Sequence, residues 1–157
     1  MFSMNNRGFW RGFTYAFHGV WLCIKNERNF RFHMAVTAYV LAFAPSFSLS
    51  RTEWALLALT IGAVLCAELV NSAIERTVNR ISTEQHPLSG AIKDLAAGAV
   101  AVLSVAAVVV GLCLFLRPVI WISIFTLWKT EWWRPCALAV SFIPAWLFVF
   151  KWRLTND

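Results

Sequence analysis

An all-α integral-membrane fold is predicted by three observations. The 157-residue chain is 59% hydrophobic and only 14% charged, with 13 Phe and 9 Trp. A soluble domain carries about 25% charged residues, so this chain cannot cover itself with polar surface. Apolar stretches near the ~20 residues that cross a bilayer recur along it. Its basic residues gather beside those stretches, where they set topology. The length suits a single compact unit.

The elements follow in order. Residues 7–28 are amphipathic: Phe9, Phe13, Phe17, Val20 and Ile24 recur at helical spacing, while Arg11, His18 and Lys25 form a separate polar line. An aromatic face opposite a basic one describes a helix lying in the membrane interface. Residues 30–47 are the first expected span, ended by Pro45 and a serine-rich stretch. Residues 54–80 are the second and 92–116 the third, separated by a loop with Pro87 and Gly90. Arg117 and Pro118 interrupt the third. The remainder, residues 118–157, is a C-terminal extension. Val119 to Trp128 is too short to cross and is flanked by Trp residues, which suits an interfacial segment. Residues 136–150 form a candidate fourth transmembrane helix containing Pro144.

Composition also excludes some functions. The net charge of +6 is dispersed along apolar spans, so no nucleic-acid partner is expected. Cys23, Cys66, Cys113 and Cys136 lie in apolar segments without C-x-x-C spacing, which predicts buried or lipid-facing thiols. The N-terminus lacks the apolar core and cleavage site of a signal peptide.

With the N-terminus in the cytoplasm and four spans, ten of the 14 basic residues lie inside: Arg7, Arg11, Lys25, Arg28, Arg31, Arg76, Arg80, Lys93, Lys151 and Arg153. Arg51, Arg117, Lys129 and Arg134 lie outside. Without the fourth crossing the split is eight to six, which discriminates less. The expected topology is therefore a membrane crossed several times with the N-terminus in the cytoplasm.

The second span carries the chemistry. Glu68, Asn71, Ser72, Glu75 and Asn79 fall within roughly 100° of arc and form one polar stripe. Ionisable side chains are costly inside a membrane, so an aligned set marks a functional site. If the helix enters at Trp54, Glu68 lies about 21 Å deep and Glu75 about 31 Å, near the inner edge of the hydrocarbon. Glu27 and Asp94 arrive at the same level from the neighbouring segments. Glu27, Glu75 and Asp94 are thus expected to gather around Mg²⁺, which takes one or two carboxylates and shares substrate phosphates. Glu68 is left deeper, beside lipid, as the candidate general base toward a lipid hydroxyl. A phosphate donor from the cytosol would meet the cation above it, and phosphoryl transfer needs mainly positioning and charge neutralisation. No P-loop or protein-kinase motif is present.

Other readings of the same residues stand beside this one. Intramembrane carboxylates also serve as proton or ion relays, or pair structurally. Asn71 and Ser72 can be interhelical glue, and Lys93 and Asp94 can simply charge a helix start. His18 suits the interface, and His86 suits the turn at Pro87. A conducting pathway would need a polar line to both faces, yet Trp54 to Ala67 offers only Thr60 and the weakly polar Cys66. A non-catalytic membrane protein using the same stripe is the further alternative.

The run AELVNSAIERTVNRISTEQHPLSGAIKDLAAGAV resembles the small prokaryotic diacylglycerol kinases, a family of integral-membrane lipid kinases that includes the undecaprenol kinases. The resemblance is carried by Glu68, Asn71, Ser72, Ala73, Ile74 and Glu75, then His86 and Leu88, then Lys93, Asp94, Ala96, Ala97 and Gly98. Tyr15, Gly19, Asn26 and Glu27 fit upstream. The similarity covers roughly residues 8–116, so residues 1–117 are expected to form the lipid kinase domain. It implies an interfacial helix followed by three spans, and a homotrimer with shared active sites. It implies transfer of the γ-phosphate of ATP, with Mg²⁺, to the hydroxyl of diacylglycerol or undecaprenol. Carried over, Glu27 and Glu75 are metal ligands and Glu68 is the catalytic base. Asn71, Lys93, Asp94, Arg11 and Tyr15 line the nucleotide and transfer site. Asn79 stands where the family commonly has Asp. The stretch NERNFRFH is closer to the undecaprenol kinase branch, and residues 118–157 have no counterpart in the short members.

Overall fold

The computed structural model describes the backbone of residues 6–81 and 87–151, and the side chains of 10–81 and 87–151. His86, Arg153 and the side chain of Arg7 fall outside that set. Six α-helices and no strand occur among the described residues. They are α1 (Asn6–Asn26), α2 (Arg28–Phe43), α3 (Arg51–Ile81), α4 (Pro87–Phe115), α5 (Pro118–Thr130) and α6 (Trp133–Trp146). The chain is an all-α membrane protein.

The breaks between helices have local causes. Only Glu27 separates α1 from α2, with extended backbone at φ −106° and ψ 111°. Pro45 supplies no N–H and disfavours a helical residue before it. The range expected as one span, 30–47, therefore divides into an α-helix ending at Phe43 and a 3₁₀ turn over Ala44–Phe47. Ser48 follows in the left-handed region, φ 47°. Ser50 then opens α3 with a reciprocal cap: Glu53 N–H donates to its hydroxyl at 3.3 Å, and Ser50 N–H donates to the Glu53 carboxylate at 2.7 Å. Pro87 and Pro118 start α4 and α5 at the first helical position, where a missing N–H costs nothing.

Among the described residues three helical stretches are long and apolar enough to cross a membrane: Arg51–Ile81, Pro87–Phe115 and Trp133–Lys151. The last joins α6 to a π turn over Leu147–Lys151, just beyond Pro144. At 16 residues α2 is about 24 Å long, and the 3₁₀ turn adds about 8 Å.

Side-chain contacts give the packing order. Arg117 donates to the Phe47 carbonyl at 3.0 Å and pairs with Glu53, which ties the end of α4 to the α2–α3 connection. Phe47 is wholly buried there, edge-on to Phe115 and Trp121. Ala44, Leu57 and Leu114 form the adjoining apolar core. At the other end of α2, Arg31 meets Val149 and the Arg28 guanidinium lies 5.7 Å from the Phe150 ring. Tyr39, midway, bonds Ser141 at 3.0 Å. So α6 runs antiparallel to α2 and returns the chain to the level of the α1–α2 junction.

Outward faces are apolar almost throughout. On α4, Leu95, Val102, Val105, Val109 and Leu112 are exposed, as lipid contact requires. Cys66, Cys113 and Cys136 are exposed on apolar helices, whereas Cys23 is buried.

Candidate functional site

The polar stripe of α3 grades from buried to open. Glu68 is 3% exposed, Ser72 3% and Asn71 8%; Glu75 is half-buried and Asn79 is exposed. The buried end faces α1 and α2, and the open end faces α4. This arrangement corrects the expectation that Glu68 lies beside lipid. Helix α2 covers it, and His33 Nε2 stands 3.5 Å from its carboxylate.

One turn on, Asn71 Nδ2 donates to Glu75 at 3.3 Å. The other end of the same amide, Oδ1, is buried without a hydrogen-bond partner. Such an atom costs about 1–3 kcal/mol, so its retention points to a ligand or ordered group that completes it.

Glu27 reaches the stripe from the α1–α2 junction. Its carboxylate accepts from Arg76 at 3.0 Å, and its charge is felt at both Glu68 and Cys23. Glu75 also lies within electrostatic range of Glu68. Cys23 sits among these groups beside Ser72; burial pushes its thiol above the usual range. Three carboxylates therefore lie near one another on the α1, α2 and α3 side.

Asp94 does not join them. Lys93 Nζ donates to Asn79 Oδ1 at 2.6 Å, one turn beyond Glu75. Asp94, about 100° further round α4, is exposed. Among the described residues no three acidic, His or Cys side chains converge tightly enough to hold a metal by themselves. The oxygen donors Glu27 and Glu75, with the orphaned Asn71 Oδ1 nearby, fit a hard cation that completes its shell with phosphate and water. They do not fit an all-protein cage.

Arg11 and Tyr15 are exposed on α1, about 24 Å and 18 Å along the helix from Glu27. The single chain does not bring them to the cluster. Conversely, the structure adds His33, Cys23 and Arg76, none of which stood out as site residues. His33 had a usable signal: an ionisable side chain in an apolar span, by the rule that marked Glu68. Arg76 read only as a topology charge, since its pairing with Glu27 spans 49 positions.

Comparison with known proteins covers this same region. The family model for prokaryotic diacylglycerol kinase matches residues 14–115. The undecaprenol kinase of Bacillus subtilis (strain 168) is 44% identical over 108 residues, covering 69% of this chain and 88% of that protein. A diacylglycerol kinase of Synechocystis sp. is 39% identical over 109 residues, 69% of this chain and 62% of its own length. The diacylglycerol kinase of Escherichia coli (strain K12) is 32% identical over 95 residues, covering 60% and 78%. The match includes the whole stripe, α2 and α4, which face it, and the α1–α2 junction, and on that ground the chain belongs to the prokaryotic diacylglycerol kinase family.

Proposed function

We propose that this chain transfers the γ-phosphate of MgATP to the hydroxyl of a membrane lipid, with undecaprenol favoured over diacylglycerol. Family membership makes it a phosphotransferase with an alcohol acceptor. The observation that carries the finer reading is the buried Glu68 one turn from Asn71 and two from Glu75, with Asn71 Oδ1 left open. Undecaprenol is favoured by the 44% identity with an undecaprenol kinase, against 39% for the Synechocystis diacylglycerol kinase.

In this reading Glu68 accepts the lipid hydroxyl proton as that oxygen bonds to the γ-phosphorus. The bond to the β-phosphate oxygen breaks, and ADP leaves. His33 orients the Glu68 carboxylate from α2. Glu27 and Glu75 would hold Mg²⁺, which would supply charge neutralisation on the phosphates. Lys93 adds a cation, and Arg76 balances Glu27 before the nucleotide arrives. Asp94 stands at the α4 edge of the nucleotide site. Arg11 and Tyr15 reach the cluster of a neighbouring copy in a homotrimer, because their own cluster is too far along α1. The N-terminus and the stripe's open end face the cytoplasm of the inner membrane, where ATP is.

Conduction through the same carboxylates has less support. Thr60, the clearly polar residue between Trp54 and Ala67, donates to its own helix at Leu56 O, 2.8 Å away. The deciding assay offers purified protein both lipids in mixed micelles with MgATP. Phosphate transfer to undecaprenol exceeding that to diacylglycerol is expected. Folded protein that phosphorylates neither lipid would sink the proposal.

Asn79 gives a second testable consequence. Its amide oxygen holds Lys93 without cancelling the charge. Asn79→Asp would convert the bond to an exposed ion pair worth up to about 1 kcal/mol. The expected result is a rise of about two- to fivefold in KM for MgATP at constant kcat, shrinking with added salt. An unchanged KM at low salt would separate Lys93 from the nucleotide.

A further inference from the structure

The C-terminal extension lies outside the family match, yet it grips the element that carries Glu27. Arg31 is the link. It is 6% exposed and forms no salt bridge among the described residues, although the Glu27 carboxylate lies within electrostatic range; its hydrogen bonds there all go to backbone carbonyls. Nη1 donates to Ile24 O at 2.9 Å and Lys25 O at 3.2 Å, both in the last turn of α1. Nε and Nη2 both donate to Val149 O at 3.2 Å, in the last described turn of the extension. Carbonyls in a final helical turn lack intrahelical donors and collect the negative end of the helix dipole. One planar guanidinium thus caps the end of α1 while holding the extension at Val149, and its fixed fork sets their relative position.

A second contact acts at the same level. The Arg28 guanidinium lies over the Phe150 ring, 5.7 Å from its centre. Further along, Tyr39 stacks on Phe142 at 5.1 Å and bonds Ser141. The pairs 39 with 141 and 31 with 149 are eight residues apart on each helix, so α2 and the extension stay in register between them. Between the end of α1 that Arg31 caps and the start of α2, which carries Arg31, stands Glu27, the single non-helical residue of the junction. The direction of its carboxylate follows the angle between α1 and α2.

We propose that the extension is a brace built into the kinase, with Arg31 as the positioning residue: Val149 and Phe150 hold Arg31 and Arg28, these fix the crossing of α1 on α2, and the crossing aims Glu27 at the metal level. The proposal rests on the reading of Glu27 as a metal ligand. It explains why a chain whose catalytic elements end near residue 115 keeps a helix that returns to the site.

The test uses the full chain, folded and in micelles, and reads Mg²⁺ dependence together with amide exchange at residues 24–31. Arg31→Lys keeps the charge but loses the fork. It should raise the half-saturating Mg²⁺ concentration by about tenfold, as loss of an outer-shell partner does, with kcat within about twofold. Phe150→Ala should move the same quantity in the same direction by a smaller factor. Amide exchange at the junction should speed up in both, because a local tie has been cut. Tyr39→Phe, at the far contact, should change neither. Wild-type Mg²⁺ dependence in Arg31→Lys and Phe150→Ala overturns the proposal. So does an effect confined to Arg31→Lys, which would give the tie to α1 and α2 alone. Faster exchange without a Mg²⁺ effect also overturns it, since the brace would not reach Glu27. Glu27→Gln separates the underlying reading: wild-type Mg²⁺ dependence there removes the metal assignment, whatever exchange shows about the brace.

Discussion

Glu75→Gln is expected to lower turnover by on the order of 10³-fold or more, with the protein folded and in its native oligomer. The substitution keeps the shape and the hydrogen bond from Asn71 but removes the negative charge. A cation that receives one or two carboxylates from the protein loses much of its hold when one becomes neutral. The charge stabilisation a metal provides in phosphoryl transfer is several kcal/mol, and each 1.36 kcal/mol is a factor of ten. The check is a rate measured across a wide range of Mg²⁺ concentration, with Mn²⁺ as a second ion. Partial recovery at high metal would identify Glu75 as a ligand. Wild-type turnover at ordinary Mg²⁺ would remove it from the metal site and leave it as a partner of Asn71 only.

Glu68→Gln is expected to cost about 10²–10⁴-fold in kcat, the usual range for a general base, with KM for MgATP little changed. Its side chain is buried beneath α2, so the amide is held in place and the fold is kept. His33, 3.5 Å away, provides an internal control. If His33 acts by orienting the carboxylate, His33→Ala slows the wild-type enzyme but adds nothing to Glu68→Gln, because residues acting as a unit are not additive. Full additivity of the two losses would assign His33 a separate role. A Glu68→Gln enzyme with near-normal kcat would transfer the proton role elsewhere.

Much of the site was legible because the relevant signal is local. The stripe lies on one helix, so period and residue type alone align Glu68, Asn71, Ser72 and Glu75. The rule that ionisable groups are expensive in a membrane then marks them as a site. Where the reading fell short, contacts between helices were responsible. Residue counting predicts a shared level for Asp94 and Glu75, but the azimuth of Asp94 on α4 depends on how α4 docks. Lys93 takes the position facing α3 instead. Whether lipid or protein covers Glu68 depends on α2, which counting residues along α3 does not reach. His33, Cys23 and Arg76 enter the cluster only through packing.

The extension makes the same point from the other side. Its composition predicts an interfacial segment and a candidate span, and Pro118 and Pro144 mark the interruptions. Nothing along the chain pairs Val149 with Arg31, because a hydrogen bond across 118 positions leaves no periodic trace.

By itself the sequence determined the class of the protein, its helical elements, the polar face of α3 and the family to which it belongs. These depend on composition, on the 3.6-residue period and on short motifs, all of which act within a few residues. Tertiary structure alone decided which groups face the stripe, that Glu68 is covered, that Lys93 rests on Asn79, and that the extension returns to the α1–α2 junction. Those outcomes are set by how helices cross and by the donors and acceptors that meet there, and no local pattern encodes a crossing.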